Sequence, residues 1–568
     1  MNFFKKILQG SWAILFITVM LLFANILAST HHSRIDLTNE KRFTLSNSTK
    51  QLLKKIEQPL KIEVLLKGNL PSGFKSLASS TEDILREFKE ETGANLFFHF
   101  VSPDETFENT AVTFADTLSS MGFFPINLTS QLKDGQEQKM VYPIAILYYE
   151  NKIVPIELYK GKTPLINFQE LSSAEAMLEY NLSSGIAKLI QKQKATVGYA
   201  IGNGEPVDLS VYDLSEIAIQ PNYTLQLINI MEQPFINPSC SVLLIVKPTI
   251  FFSDAEKLKI DQYIMHGGKV IFFIDRLNAE MDSLQIKNEV IAFDRGLNLD
   301  DMLFKYGVRI NADLLMDLQC DYLPFDVNGN GQYDFLPWNY FPVLESSGNH
   351  PINKNLGFVS GRFTNTIDTI QTQGIKKDIL LHSSVNARTI SSPAIISGRE
   401  NVAAPEDEKY KKSTLPVAVL MQGKFKSLFA NRLTNSLRDS MNENGMTFYT
   451  ESENDNKIMV VSDADIVLNS FVKGNQPIAM GMNSFTYGTQ REFPFANRDF
   501  LLNSIEFMIN ENGLSEAKSK DYVVRLLDSK KVNESKSLWQ AINLVIPLIL
   551  ILFFGMVFQW IRKRKYTA

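Results

Sequence analysis

The longest apolar runs of the chain lie near its two ends. Ile7 to Ala28 ("ILQGSWAILFITVMLLFANILA") and residues 538–561 contain no charged side chain. As helices, both are long enough to cross a hydrocarbon core of roughly 30 Å. Lys5 and Lys6 precede the first, and Arg562, Lys563, Arg564 and Lys565 follow the second. Basic flanks of this kind stay cytoplasmic. The pattern therefore predicts two spans in an inner (cytoplasmic) membrane, a cytoplasmic stub 1–6 and basic tail 562–568, and a main region on the periplasmic side. A cleaved signal peptide is the competing reading of the first run. The run's length, and "ILAST" in place of an A-x-A site, favour an uncleaved anchor. Asn543 and Pro547 interrupt the second run, and Pro547 predicts a kink. Neither cysteine lies near the N-terminus, so the expectation is a protein held by helices and not by a lipid.

Between the spans the apolar periods are short. Ser46 is placed to cap a short helix with Leu52, Leu53 and Ile56 on one face. "LKIEVLL" alternates as a strand, Ser76 to Gly93 reads as a helix closed by glycine, and "ANLFFHFVSP" is a second strand. "YPIAILYYENKIVPIELYK" reads as a hairpin turning near Glu150-Asn151. This order predicts a small α/β domain over 29–170, thioredoxin-like in outline but without a C-x-x-C. A linking helix is expected over 171–194.

From 195 to 510 the pattern becomes doubly wound α/β. "ATVGYAIGNGEP" and "CSVLLIVKP" read as strands. "SDAEKLKIDQYIMHGGKVIFFIDR" reads as a helix with a Ser253/Glu256 capping box and a Gly267-Gly268 stop, then a strand apolar on both faces. A flavodoxin-like parallel sheet follows from this alternation. "LDDMLFKYGVRI", "KIMVVSDADIVLN" and "NRDFLLNSIEFMIN" supply further elements. Residues about 320–415 are rich in Pro, Gly, Asn and Ser and predict a loop-rich insertion, with Ser397 to Thr414 the least ordered. Residues 511–537 read as a juxtamembrane linker.

Charge adds little. The net charge is −5, and the six basic residues of the two flanks leave −11 on the remainder. A basic stripe for nucleic acid is missing. Cys240 and Cys320 are the only cysteines. Two buried free thiols are expected, with a disulfide the alternative in an oxidising compartment.

Enzyme signatures are absent. "HGGKV" and "QGKFKS" lack the leading Gly, and the Ser/Thr after Lys, of a nucleotide-binding loop. There is no H-E-x-x-H. The turn "LLIVKPTIFFSDAE" carries no nucleophile where an acyl-transfer enzyme on such a sheet would need one. The expectation is a non-enzyme without a cofactor. "DVNGNGQYDFLP" resembles a calcium loop through Asp326, Asn328, Asn330, Gly331 and Asp334. Pro337 stands where a bidentate Glu belongs, so an Asn-Gly turn is the better reading.

Open α/β sheets bind ligands beyond the carboxyl ends of their strands. Here those ends offer Asn203, Gly204, Glu205, Asp275, Arg276, Asp463 and Asp465 as a candidate polar cleft. Ordinary solvated strand ends are the plainer reading.

Several long stretches carry a family resemblance: "DLTNEKRFTLSNSTKQLLKKIEQPLKIEVLLKG", "GNGEP", "HPINKNLGFVSGRF", "LPVAVLMQGKFKSLFANR", "ANRDFLLNSIEFM" and "LWQAINLVIPLILILFFGMVFQWIRKRKY". They resemble, in order and over nearly the whole chain, the GldG family, the gliding-associated, substrate-binding-like component of an ABC transporter. The resemblance implies a partner permease, a separate cytoplasmic ATPase, and a role in gliding motility and its linked secretion. It also implies an outer domain related to the GATase-like domain of intraflagellar-transport proteins. Asn203 departs from the many members with His there. Two functions compete: a ligand-receiving auxiliary subunit, and a structural coupler that binds other envelope proteins. A hydrolase with degenerate motifs is a third.

Overall fold

The computed structural model describes residues 18–23 and 44–566, apart from 107–111, 121–124, 133–134, 160–167, 192, 282–283, 285–288, 328–329, 348–349, 355, 398–406, 412–413, 433–446 and 510–528. Of the expected first span, residues 18–23 are helical and the remainder lies outside the described residues.

Two sheets organise the chain. The smaller has four strands, β1 (Leu60–Val64), β2 (Leu96–Phe100), β3 (Ile144–Tyr149) and β4 (Lys152–Glu157), in the order β2-β1-β3-β4. β1 and β2 are parallel, and the other pairings are antiparallel. Helices α1 (Asn47–Leu53) and α2 (Ser72–Thr92) precede and cross over β1. Ser46 caps α1 as expected, its hydroxyl accepting from the Thr49 amide at 3.2 Å. Helix α2 starts four residues before the expected Ser76, because Pro71 fits the start of a helix and Phe74 adds a further apolar position to the same face. Phe74, Leu77, Leu85 and Phe88 of α2 are fully buried. Each such side chain contributes about 2 kcal/mol by leaving water.

Helix α3 (Phe168–Ile190) is the element expected to link two units. Its Leu178, Leu182, Ile186 and Leu189 are built into the core of the small sheet. Its other side reaches the helix Asn497–Ile509 that covers the second sheet, where Glu506 accepts from Tyr180 Oη at 2.5 Å and Ser184 Oγ at 3.0 Å.

The second sheet has ten strands. Its parallel part comprises β5 (Thr196–Ile201), β6 (Thr224–Asn229), β7 (Cys240–Val246), β8 (Lys269–Phe273) and β13 (Asn456–Val461), side by side as β6-β5-β7-β8-β13. Chain order reverses between β5 and β7, which makes that gap the switch point where such sheets form their crevice. The inner strands β5, β7, β8 and β13 are apolar on both faces because both faces are covered, while the edge strand β6 is more exposed. Val242, Leu244, Val246, Ile271 and Phe273 face α6 (Asn497–Ile509) and the helical turn Asp213–Ile219. Leu243, Ile245, Val270 and Phe272 face α4 (Asp254–Met265) and α5 (Asp300–Tyr306). The predicted capping box of α4 is present: Ser253 Oγ accepts from the Glu256 amide at 3.4 Å, and Glu256 Oε2 from the Ser253 amide at 2.7 Å.

Beyond β13 the sheet continues antiparallel through β12 (Pro416–Gly423), β11 (Ile375–His382), β10 (Asp334–Ser346) and β9 (Cys320–Phe325). The stretch expected to be a loop-rich insertion therefore supplies three strands of this sheet, β9, β10 and β11, and several shorter strand pairings. Its Pro, Gly and Asn residues punctuate short strands, and the pairing partners lie far along the chain. Trp338, Tyr340 and Phe341 of β10 pack with Phe363 into an aromatic core, with the Trp338 and Phe341 rings 5.1 Å apart.

Near the C-terminus, α7 (Ser529–Tyr566) contains a candidate span, Leu538–Arg564, with a mean hydropathy of 2.7 and none of its apolar window buried. Among the described residues it is the one helix long and apolar enough to cross a membrane, and Pro547 lies inside it.

Candidate functional site at the carboxyl ends of the parallel strands

β5 leaves the sheet through "GNGE". Gly202 and Gly204 hold φ of +120° and +81°, conformations that suit glycine. A Cβ on Gly204 would lie 2.1 Å from Thr249 Oγ1. This close approach ties the β5 turn to the β7 turn across the switch point. The Asn203 carbonyl accepts from the Thr249 amide at 2.9 Å and the Ile250 amide at 2.8 Å. Asn203 Nδ2 donates to the Phe251 carbonyl at 3.2 Å and Glu256 Oε2 at 3.3 Å. Glu205 Oε2 accepts from the Asn203 amide at 2.8 Å.

Two acceptors are left over. Asn203 Oδ1 and Glu205 Oε1 are buried and without a hydrogen-bond partner among the described residues. Asn203 is fully buried and Glu205 is 6% exposed. Because both partners of Asn203 Nδ2 are acceptors, the orientation of the amide is fixed and Oδ1 is the free atom. Burial pushes the Glu205 carboxyl up to about 7, against the backbone amides that bind its charged form, and Glu256 adds to the rise. The turn therefore offers buried acceptors to a donor.

A different arrangement sits beside it. Lys247 ends β7 with a positive φ of +47°. Its ammonium lies 2.7 Å from Asp465 Oδ1, 3.1 Å from Glu280 Oε2 and 3.4 Å from Asp275 Oδ2. Burial alone would lower its pKa, but the carboxylates of Asp465, Asp275 and Glu280 outweigh it and hold Lys247 protonated. Glu280 is also held by Arg295 at 2.6 Å. Asp275 Oδ1 accepts from the Ala464 amide at 2.6 Å. Burial pushes the Asp275 carboxyl up to about 6 despite Lys247.

Asp463 is fully buried. It accepts from the Arg362 amide at 2.7 Å, the Asp465 amide at 2.9 Å and the Thr364 hydroxyl. Burial, then Asp275 and Asp465, raise its carboxyl well above the usual range. Asp275, Asp463 and Asp465 thus come together as one ion-pair and backbone-binding network.

Arg276 turns aside from both. Its guanidinium holds Asp294 at 2.9 Å and Asp300 at 2.8 and 3.1 Å, and its amide donates to Asn365 Oδ1 at 2.7 Å. The seven predicted residues therefore fall into three groups: the Asn203–Gly204–Glu205 turn, the Asp275–Asp463–Asp465 network, and Arg276 with its own partners.

Sequence reasoning missed Lys247, Glu280 and Arg295. A lysine directly after an apolar run reads as a solvated strand end. No local signal marks its partners, which lie at 275, 280 and 465.

The calcium-like loop closes on itself. Asp326 accepts from the Asn330 amide at 3.1 Å and the Gly331 amide at 3.0 Å, and Asn330 Oδ1 from the Gln332 amide at 2.9 Å. Asp334 begins β10, paired with Phe325; Asn328 lies outside the described residues. No group of three or more His, Cys, Asp or Glu side chains is placed to hold a metal among the described residues. Cys240 is a buried free thiol, and Cys320 is free and half-buried. Burial pushes both thiols up, away from reactivity.

The family described as "ABC-type uncharacterized transport system" matches residues 194–504, the span of the ten-stranded sheet and its helices. A domain of unknown function, DUF7088, matches residues 39–148 in the region of the small sheet. An uncharacterized protein of Borreliella burgdorferi is 22% identical over 565 residues, covering 96% of both chains. Among solved structures, the mmIFT52 N-terminal domain covers 55% of this chain and 96% of its own, at 10% identity and a TM-score of 0.30. A putative ThuA-like protein from Parabacteroides merdae covers 56% and 91%, at 12% identity and a TM-score of 0.26. Neither score is high enough to carry a fold.

Proposed function

Because the chain belongs to the ABC-type uncharacterized transport system family, we propose that it is the membrane-anchored, non-catalytic auxiliary subunit of such a system. Its finer identity in this reading is the GldG type, working in gliding motility. Its ATPase is a separate cytoplasmic chain and its permease a separate membrane chain. Both spans, residues 7–28 and 538–561, tether the protein, with both termini in the cytoplasm and the sheets in the periplasm.

The observation that carries the reading is the joining of the family-matched sheet to a wholly unburied apolar helix, Leu538–Arg564, that ends in basic residues. A tethered subunit cannot ferry cargo by diffusion. It acts by changing shape or contacts next to the permease. The absence of a nucleotide-binding loop from the sequence supports an ATPase on another chain. The locking of Lys247 by three carboxylates supports a non-catalytic sheet: a protonated, fully paired lysine at that turn is no nucleophile or base.

The Asn203–Glu205 turn favours a ligand-receiving subunit, because it presents buried acceptors without partners. The Lys247 network favours a structural coupler, because its ammonium and three carboxylates are already paired with one another. Gentle purification of the full chain from its membranes separates these readings from failure. A permease and an ATPase in fixed ratio support the subunit assignment. An envelope protein recovered with them, and no small ligand, selects the coupler. Recovery of the chain alone under conditions that keep other ABC complexes intact sinks both.

A further inference from the structure

The amino ends of the parallel strands carry a cavity of about 530 Å³, a size typical of small-molecule sites. It opens at the opposite end of the sheet from the switch point. Its apolar walls are Phe235, Ile236, Tyr263, Tyr449 and Ile509. The space is kept by glycine: a Cβ on Gly268 would lie 2.4 Å from the Tyr263 ring. The Tyr263 hydroxyl donates to the Cys240 carbonyl at 2.9 Å, which fixes that ring as a wall.

Ser241, His266, Lys269 and Thr447 add polar side chains to the same cavity. The His266 ring stacks on Tyr449 with centroids 4.2 Å apart and planes 21° apart, which makes a flat face. His266 Nδ1 lies 2.7 Å from the Gln262 carbonyl, an acceptor, so Nδ1 carries a proton, and in the neutral ring Nε2 is an acceptor. Ser241 and His266 are half-buried and Thr447 is exposed, so these side chains are accessible from the cavity.

The lining charges select against a cation, because Lys269 is part of the lining and no carboxylate is. The C-terminal end of α4, which His266 caps, opposes the pull of Lys269 on an anion. We propose that this cavity binds a neutral, planar aromatic molecule bearing a hydroxyl group, a ligand of the phenol class. Its ring lies against the His266–Tyr449 stack and the apolar walls. Its hydroxyl donates to His266 Nε2 and accepts from Ser241 or Thr447. The inference does not depend on the transport reading, and copurification of a permease and ATPase is scored separately. Ile509 is the last residue of α6, and residues 510–528 lead from it to α7. An occupant would thus touch the element that joins the sheet to the membrane helix.

The test is titration of the full chain, in lipid nanodiscs, with 2-naphthol, naphthalene-2-sulfonate and 2-naphthylmethylammonium, using empty nanodiscs as the blank. The expected result is saturable binding of 2-naphthol above the blank and weaker binding of both ions. His266→Phe keeps the stack but removes the acceptor, and should weaken 2-naphthol by about tenfold, the worth of one hydrogen bond. Thr447→Trp, on an exposed loop, should fill the cavity and abolish binding without unfolding the sheet. Arg86→Ala, on α2, should bind as the unaltered chain does. The proposal is overturned if 2-naphthol binds no more than to empty nanodiscs, if either ion binds tighter, or if Thr447→Trp binds as well as the unaltered chain.

Discussion

Lys247 and Asn203 follow neighbouring strands of one sheet, yet the polar groups around them are treated differently. Around Lys247 the carboxylates are paired: three share one ammonium, Arg295 holds Glu280, and Ala464 caps Asp275, with Arg295 Nε left as a buried donor without a partner among the described residues. Around Asn203 the backbone is tied down as firmly, but two buried oxygens are left over. A closed network fixes the ends of β7, β8 and β13 relative to one another. An open one keeps hydrogen-bonding capacity for something else, because leaving buried acceptors unmet costs stability that folding alone would not retain. Polar residues at strand ends therefore do not form one cleft. They divide into a lock and a socket.

The sharpest way to break the contrast is to remove the centre of the lock. Lys247→Met leaves Asp275, Asp465 and Glu280 facing one another with no cation between them. Breaking a buried pair in this way costs about 3–5 kcal/mol. Thermal unfolding of the purified full chain should show the loss, and adding Asp275→Asn to the same chain should recover part of it. A loss below about 1 kcal/mol would mean that the lysine sits in water and is no lock.

The socket should respond to pH in a way that its carboxyl dictates. Glu205 titrates at about 7 in the folded chain, above the ordinary 4.5. The folded state therefore binds the proton more tightly, and stability falls as pH rises between those values. Asp275, raised to about 6, has the same sign. Glu205→Gln removes the first contribution. The variant should be more stable than the unaltered chain at pH 8, by on the order of 2 kcal/mol, and equal to it or weaker near pH 5. An unfolding profile for the variant parallel to that of the unaltered chain across this range would place the titrating group elsewhere.

The join between the β5 and β7 turns is a smaller matter, but it separates shape from charge. Gly204→Ala adds a methyl at a φ of +81° and against Thr249 Oγ1. The expected cost is about 1–2 kcal/mol. Thr249→Ala in the same chain should relieve the contact and leave only the backbone strain. If the pair is no better than Gly204→Ala alone, the two turns do not meet as described.

How much of this was legible in the chain depends on range. The capping box at Ser253 and Glu256, the glycine stop and the apolar β8 are written within two dozen consecutive residues, and their local pattern dictates them. The candidate residues at the strand ends were found by the same logic, since each follows an apolar run. Their division into lock and socket was not legible. Asp463 meets Thr364 and Arg362 across some hundred residues of chain, and nothing local marks that meeting. The antiparallel extension through β9 to β12 was hidden for a related reason. Strands that pair with distant partners show only short apolar runs between turn residues, which looks like loop. Lys247 was passed over because burial of a charge is decided by partners the local sequence does not show.

The calcium-like loop belongs to the locked class, and it gives the smallest effect of the set. Both Asp326 oxygens already accept from backbone amides of the same loop, at Asn330 and Gly331. A calcium ion would have to displace both bonds, and it would find Pro337 where a bidentate carboxylate is required. Calcium at about 1 mM, a level that fills weak extracellular sites, should leave the unfolding temperature of the full chain unchanged. Asp326→Ala should cost about 1 kcal/mol through the lost turn bonds, with or without the ion. A calcium-dependent rise that disappears in Asp326→Ala would move this loop from the locked class to the open one, and would show that a self-satisfied carboxylate can still be recruited.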